Sequence, residues 1–142
     1  MRKINAFFRR YYDIGPFVIR LMVGFHLIHS VYSIIFTKGS MSGVVEFFKS
    51  QHIIVPEFIA PFVAYAELIG GALYILGLWT RITAFILVII FICAISIVHI
   101  GDTYSNTFPE IVMFVGSLYL LFCGPGKISL DHMIAKNGEA IR

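Results

Sequence analysis

Paired thiols are missing from this sequence: its two cysteines, Cys93 and Cys123, each stand alone in an apolar run, with no Cys-x-x-Cys spacing around them. A disulfide scaffold, a structural zinc finger and a dithiol relay within the chain are therefore not expected. Charge is just as scarce. Asp, Glu, Lys and Arg make up 13% of the 142 residues, against 58% apolar residues and a mean hydropathy of +0.87. A soluble domain of this size lacks the interior to hide so much apolar surface, so lipid must be the solvent for most of the chain. The net charge of +3 does not come from a basic stripe. The basic residues punctuate the ends of hydrophobic runs, which is membrane topology and excludes nucleic acid as a partner.

A helix needs roughly 20 residues to cross a hydrocarbon core. Four runs qualify, at about Ile14 to Phe36, Phe58 to Trp79, Ile82 to Ile100 and Thr107 to Cys123. The fold expected is an all-α integral membrane four-helix bundle. Met1-Arg2-Lys3 invites a signal-peptide reading, but Arg9, Arg10 and Asp13 delay the apolar stretch and no small-x-small site follows it, so a retained first helix is expected. With four crossings, Arg2, Lys3, Arg9, Arg10, Arg81, Lys127, Lys136 and Arg142 share one side, against Lys38 and Lys49 on the other. That asymmetry places both termini in the cytoplasm. Residues 2–12 mix basic and aromatic side chains, as either an interfacial anchor or a solvated tail does.

The connections differ in length. Trp79-Thr80-Arg81 is so short that helices two and three must be antiparallel neighbours. Residues 37–57 instead form a long external loop rich in Val, Phe and Ile. A short interfacial helix is expected there from about Ser42, stopped near Pro56, acting as a plain anchor or as a lid. At the other end, Gly124-Pro125-Gly126 stops helix four, with Ser129 and Asp131 placed to cap or tether the tail and Lys127 at the headgroups.

Polar side chains at bilayer depth cost a few kcal/mol unless paired or wetted. At about 1.5 Å per residue from the side of the termini, Arg20 lies about 9 Å deep, His26 and Glu67 about 18 Å, His29 about 22 Å and His99 about 25 Å, with Glu110 near the same level. Side chains lean toward the N-terminus of their helix, which draws His29, Glu67 and His99 toward one layer. Each span thus donates a polar group: His26 or His29, Glu67, His99 and Glu110. Two readings are open. The layer is a pocket that binds a head group, holds a metal or passes protons, or it is a set of mutual bonds that fixes helix register. Arg20 either snorkels to the headgroups or turns inward to pair with Glu67. Gly24, Gly70, Gly71, Gly77 and Gly116 let backbones approach, and Gly70 turns Glu67 toward a partner helix. Both cysteines read as small packing residues.

Arg20-Leu-Met-Val-Gly24, the run Ala66-Glu67-Leu68-Ile69-Gly70-Gly71 continuing through Leu76-Gly77-Leu78-Trp79-Thr80-Arg81, His99 at the close of helix three, and Gly124 through Asp131 together resemble the DoxX family of small four-helix bacterial membrane proteins. The likeness spans Arg20 to Asp131 and makes residues 1–142 one transmembrane domain. The chain keeps the histidine of the family's first-helix pattern as His29 but has Ser30-Val31-Tyr32-Ser33 where the family carries a glycine and a lysine. The resemblance implies a multi-pass protein of the bacterial cytoplasmic (inner) membrane, linked to thiosulfate:quinone oxidoreductase and to thiol and oxidative-stress systems.

Two functions follow as expectations. One is a subunit of a membrane redox system, quinone- or thiol-linked, with a quinone-like head group held by His26, His29, Glu67, His99 and Glu110, and with a partner membrane or peripheral protein supplying electrons. Haem or metal is the weaker choice of cofactor. The other is a non-catalytic scaffold or assembly factor that binds a partner protein or lipid. A small transporter ranks third, since four short helices enclose a pathway only as a homo-oligomer.

Overall fold

The structure, a computed structural model, describes residues 13–98 and 103–139. The described residues form α1 (Ile14–Phe36), α2 (Ser40–Ser50), α3 (Pro56–Leu76), α4 (Thr80–Cys93), α5 (Tyr104–Cys123) and α6 (Leu130–Glu139), with α4 running on into a π-helical turn over Ala94–Val98. Four stretches are long and apolar enough to cross a bilayer: Ile14–Phe36, Pro56–Leu76, Thr80–Ile97 and Tyr104–Cys123. The chain is a multi-pass four-helix membrane bundle. We call the end bearing Asp13 and α6 the tail end, and the end bearing α2 the loop end.

Several boundaries differ from those read in the sequence, each for a local reason. Pro56 does not stop α2; it opens α3, where its missing N–H is no loss. α3 ends at Leu76 and not at Trp79, because Gly77 adopts φ +67°. The Gly77 N–H donates to the Tyr74 carbonyl and the Leu78 N–H to the Leu73 carbonyl, a Schellman closure. α5 begins at Tyr104, ahead of Thr107, and runs through Pro109. Pro61 and Pro109 each sit inside their helix, where proline forfeits one backbone bond.

The most extensive packing joins α1 to α3, followed by α4 to α5, with α3 also against α4 as the tight turn requires. Small residues explain the first contact. A Cβ on Gly24 would lie 2.7 Å from the Gly71 carbonyl oxygen, and one on Gly71 would lie 2.7 Å from the Gly24 carbonyl oxygen, so the two backbones touch. Val23, Leu27, Tyr74, Leu87, Phe91, Met113 and Leu120 fill the core between the helices. The outside is also apolar: Phe25, Phe58, Phe62, Ile69, Ile82, Phe85 and Ile89 are exposed. Large exposed apolar side chains around helices that touch through glycine are what a lipid solvent selects. Cys93 belongs to that outer surface and is not the packing residue expected, while Cys123 is half-buried near the tail end.

Candidate functional site

A cavity of about 340 Å³ opens between α1, α2, α3, α4 and α5 in the loop-end half of the bundle. Helical periodicity builds its walls. α1 contributes His26, Leu27, Ser30, Val31 and Ile34, and α3 contributes Ala60, Val63, Ala64 and Glu67, the one-sided stripes of two packed helices. α5 adds Pro109, Glu110 and Met113, α4 adds Phe91, and α2 lays Val44, Phe47 and Phe48 across the space. The polar groups are thus two carboxyls, an imidazole and the Ser30 hydroxyl, which donates to the Leu27 carbonyl at 2.9 Å. No lysine or arginine is among these lining residues. Glu67 and Glu110 lie close enough to interact electrostatically. Two full negative charges in a chamber walled by hydrocarbon repel one another, so a proton or a hydrogen-bond donor from an occupant eases the pair.

Of the residues singled out in the sequence, the structure brings His26, Glu67 and Glu110 to this one space. His26 is exposed and stands at the rim. His29 is not in the lining: it is exposed, and its ring stacks on Phe25 at 6.1 Å between centroids and 8° between planes. Three residues along a helix turn the side chain by about 300°, and the lean toward the N-terminus sets His29 over the preceding turn. The sequence reading missed Ser30, which sits four residues after His26 on nearly the same face; that spacing was the signal available. The lid reading of residues 37–57 did not specify which side chains would reach this space; Val44, Phe47 and Phe48 do. His99 lies outside the described residues. Among the described residues, no group of three or more His, Cys, Asp or Glu is placed to hold a metal ion.

Arg20 takes neither of its two expected routes. It is 1% exposed, so it does not snorkel, and it lies at the tail end, away from Glu67. Its Nη2 donates to the Ile128 carbonyl, its guanidinium lies 5.8 Å from the Phe17 ring centroid, and Asp131 supplies an opposite charge nearby. The segment after α5 has folded back to meet it. The Asp131 carboxylate accepts the Trp79 N–H at 2.7 Å and the Thr80 N–H at 2.9 Å, capping α4 from a distant part of the chain. The Asp131 N–H donates to the Gly77 carbonyl at 3.0 Å. Ser129 closes the start of α6, its hydroxyl donating to the Gly126 carbonyl at 2.7 Å and accepting the His132 N–H at 3.2 Å. Lys127, expected at the headgroups, pairs with Asp13 at 2.9 Å. That ammonium holds the Asp13 carboxyl below the usual carboxylate range.

The geometry at both ends can now be set beside known proteins. The chain is 31% identical over 126 residues to a Bacillus subtilis (strain 168) protein named "Putative oxidoreductase CatD", an alignment covering 88% of this chain and 90% of that relative. No solved structure matches significantly. The DoxX family profile matches residues 15–100, which takes in Arg20, the glycine contact of α1 with α3, Glu67 and the Gly77 turn. The chain belongs to the DoxX family.

Proposed function

We propose that this protein is the membrane subunit of a redox system, and that the loop-end cavity holds the ring head group of a quinone-like molecule. The observation that carries this reading is the meeting of His26, Glu67 and Glu110 around one chamber whose other walls are apolar. Its volume of about 340 Å³ suits a single substituted ring, since cavities that hold small organic ligands run to some hundreds of Å³. Glu67 and Glu110 would accept hydrogen bonds from the ring hydroxyls of the reduced form, from α3 and α5, with His26 at the rim to exchange protons with the outside. When bound, a quinone supplies coupled two-electron and two-proton chemistry. The relative's name, an oxidoreductase, supports the same class.

Electrons must then come from a partner, membrane or peripheral. Cys93 lies near the loop end of α4 and Cys123 near the tail end of α5, and both are free thiols, so they do not form a relay with each other. The proposal sets the tail end at the cytoplasmic face of a bacterial inner membrane. Arg81, Lys127 and Lys136 on that end outnumber Lys38 and Lys49 on the other among the described residues, which supports the orientation.

The test is to purify the protein in mild detergent and extract its lipids, with absorbance and elemental analysis run on the same sample. A quinone should co-purify, and Glu67→Gln should lower its occupancy by about tenfold, the scale of one charge-assisted hydrogen bond. Retention of the same quinone by Glu67→Gln, or recovery of haem or metal in its place, overturns the assignment. The scaffold reading has one observation of its own. An apolar groove of about 500 Å³ runs along the outer face of α3 and α4, between Phe62, Ile69 and Ile86, and a partner helix or acyl chain fits such a surface. It becomes the better account if no bound molecule is found and Glu67→Gln leaves both the fold and the cellular phenotype intact.

A further inference from the structure

We propose that α2 is a lid over the acidic cavity and that the ion pair between Lys49 and Glu57 is its latch. The inference rests on the reading of that cavity as a ligand site and concerns how the site is opened.

Three observations carry it. First, α2 lays Val44, Phe47 and Phe48 on the cavity, yet none of its eleven residues is buried. A helix that walls a chamber without being embedded covers that chamber and does little to hold the bundle together. Second, both ends of α2 are built to turn. Gly39 precedes it at φ +86°, with nothing within 4 Å of where a Cβ would stand. After it, His52 at φ 58° and Val55 at φ 53° occupy the left-handed region, which is costly for any side chain and most of all for a β-branched one. Relaxing these two residues offsets part of the cost of lifting the helix. Third, an ion pair crosses from the end of α2 to the start of α3, Lys49 Nζ to Glu57 Oε1 at 2.7 Å, with both side chains more than half exposed. The side-chain hydrogen bonds of Ser42 and Ser50 stay local, to the Gly39 and Phe47 carbonyls. A half-exposed pair is weak enough to break on the timescale of ligand exchange and strong enough to bias the closed state.

The lid also gives molecules dissolved in the bilayer a side entry to the cavity, whose rim at His26 is exposed. α2 is amphipathic and lies where an interfacial helix lies, so lifting it opens the chamber sideways toward the headgroup layer.

The experiment uses the full chain in lipid nanodiscs, with Cys93→Ser to remove the exposed thiol and Ala60→Cys to place one in the cavity wall. Native Cys123, at the far end of the bundle, serves as the internal control. The rate of N-ethylmaleimide modification is read at each cysteine by mass spectrometry. Glu57→Lys should raise the rate at position 60 by about fivefold, the scale set by an exposed ion pair, while the rate at Cys123 stays constant. The swapped pair, Lys49→Glu with Glu57→Lys, should return position 60 to the parent rate. No change at position 60 with Glu57→Lys, a rise that the swap does not reverse, or a parallel rise at Cys123 each overturns the lid. None of these outcomes touches the cavity's role, which stands on the quinone carried by the purified protein and its dependence on Glu67.

Discussion

The two ends of the bundle treat polar side chains in opposite ways. At the tail end the chain doubles back and seals: Arg20 meets the Ile128 carbonyl, Asp131 takes the first N–H groups of α4, and no room is left beside Gly77. At the loop end, Glu67, Glu110 and His26 face a space of about 340 Å³. Both regions carry charge-bearing groups at depths where water is scarce, so burial alone does not separate structure from function. What separates them is whether the chain itself fills the space beside the charge. Around the buried Arg20 cation the Ile128 carbonyl and the Phe17 ring close in, with the Asp131 charge nearby, and the close packing holds a shape. Glu67 and Glu110 instead line a chamber under a loosely held helix, with room for a visitor.

Substitutions at the tail end should therefore cost stability, and substitutions at the cavity should cost binding. The largest effect is expected for Gly77→Ala. The residue sits at φ +67°, and a Cβ there would lie 1.6 Å from Arg20 Nη1 and 2.7 Å from the Ser129 Cβ, so the guanidinium and the tail must both move. We expect a loss of at least about 3 kcal/mol in thermal unfolding in detergent, beyond the left-handed penalty alone. A near-native melting curve would show that Arg20 has a second place to go. Asp131→Ala comes next. It uncovers the Trp79 and Thr80 N–H groups and should cost about 1–2 kcal/mol, the price of a lost helix cap. Hydrogen exchange confined to the first turn of α4 would locate the damage.

Glu67→Gln sharpens the comparison from the other side. Replacing an acid by its amide in an apolar layer fills the same space, so stability should stay unchanged within about 0.5 kcal/mol, while occupancy by the bound molecule falls about tenfold. A large drop in stability would place Glu67 in the same class as Arg20, as a register lock.

The sequence spoke clearly about the elements and only partly about the sites. Four apolar runs, their short and long connections and the stop at Gly124 were legible because each depends on local chemistry, length against bilayer thickness and glycine with proline at a helix end; the stop at Gly77 was not, because a glycine inside an apolar run reads equally as a packing residue. Depth along each helix was legible too, which is why Glu67 and Glu110 were assigned to one layer with His99 and with His26 or His29. Azimuth was not. Helix rotation depends on close approach at Gly24 and Gly71, a reciprocal fit between residues far apart in sequence, and a turn of about 60° decides that His26 and Ser30 see the cavity and His29 does not. Arg20 was misread for a related reason. Its partners come from the segment that follows α5, whose return path over the tail end is set by the tertiary contacts of Asp131 and not by any pattern near Arg20.

The smallest effect expected is the pH dependence of the tail. Asp13 stands just before α1, and its contact with Lys127 joins the first residues of the bundle to the segment leading into α6. Its carboxyl is held below the ordinary range in the folded chain because the ammonium favours the charged form. The contribution to stability is therefore complete once pH exceeds the ordinary carboxylate range, and it is lost as pH falls through the depressed folded value. Between pH 6 and 8 nothing should change at this site. Asp13→Asn should remove part of the acid-induced loosening of α6, seen as a smaller difference between neutral and acidic melting curves, while leaving modification of Ala60→Cys in the cavity unaltered. If acid loosens the cavity thiol in step with the tail, the two ends are coupled through α1 and the separation drawn between them fails.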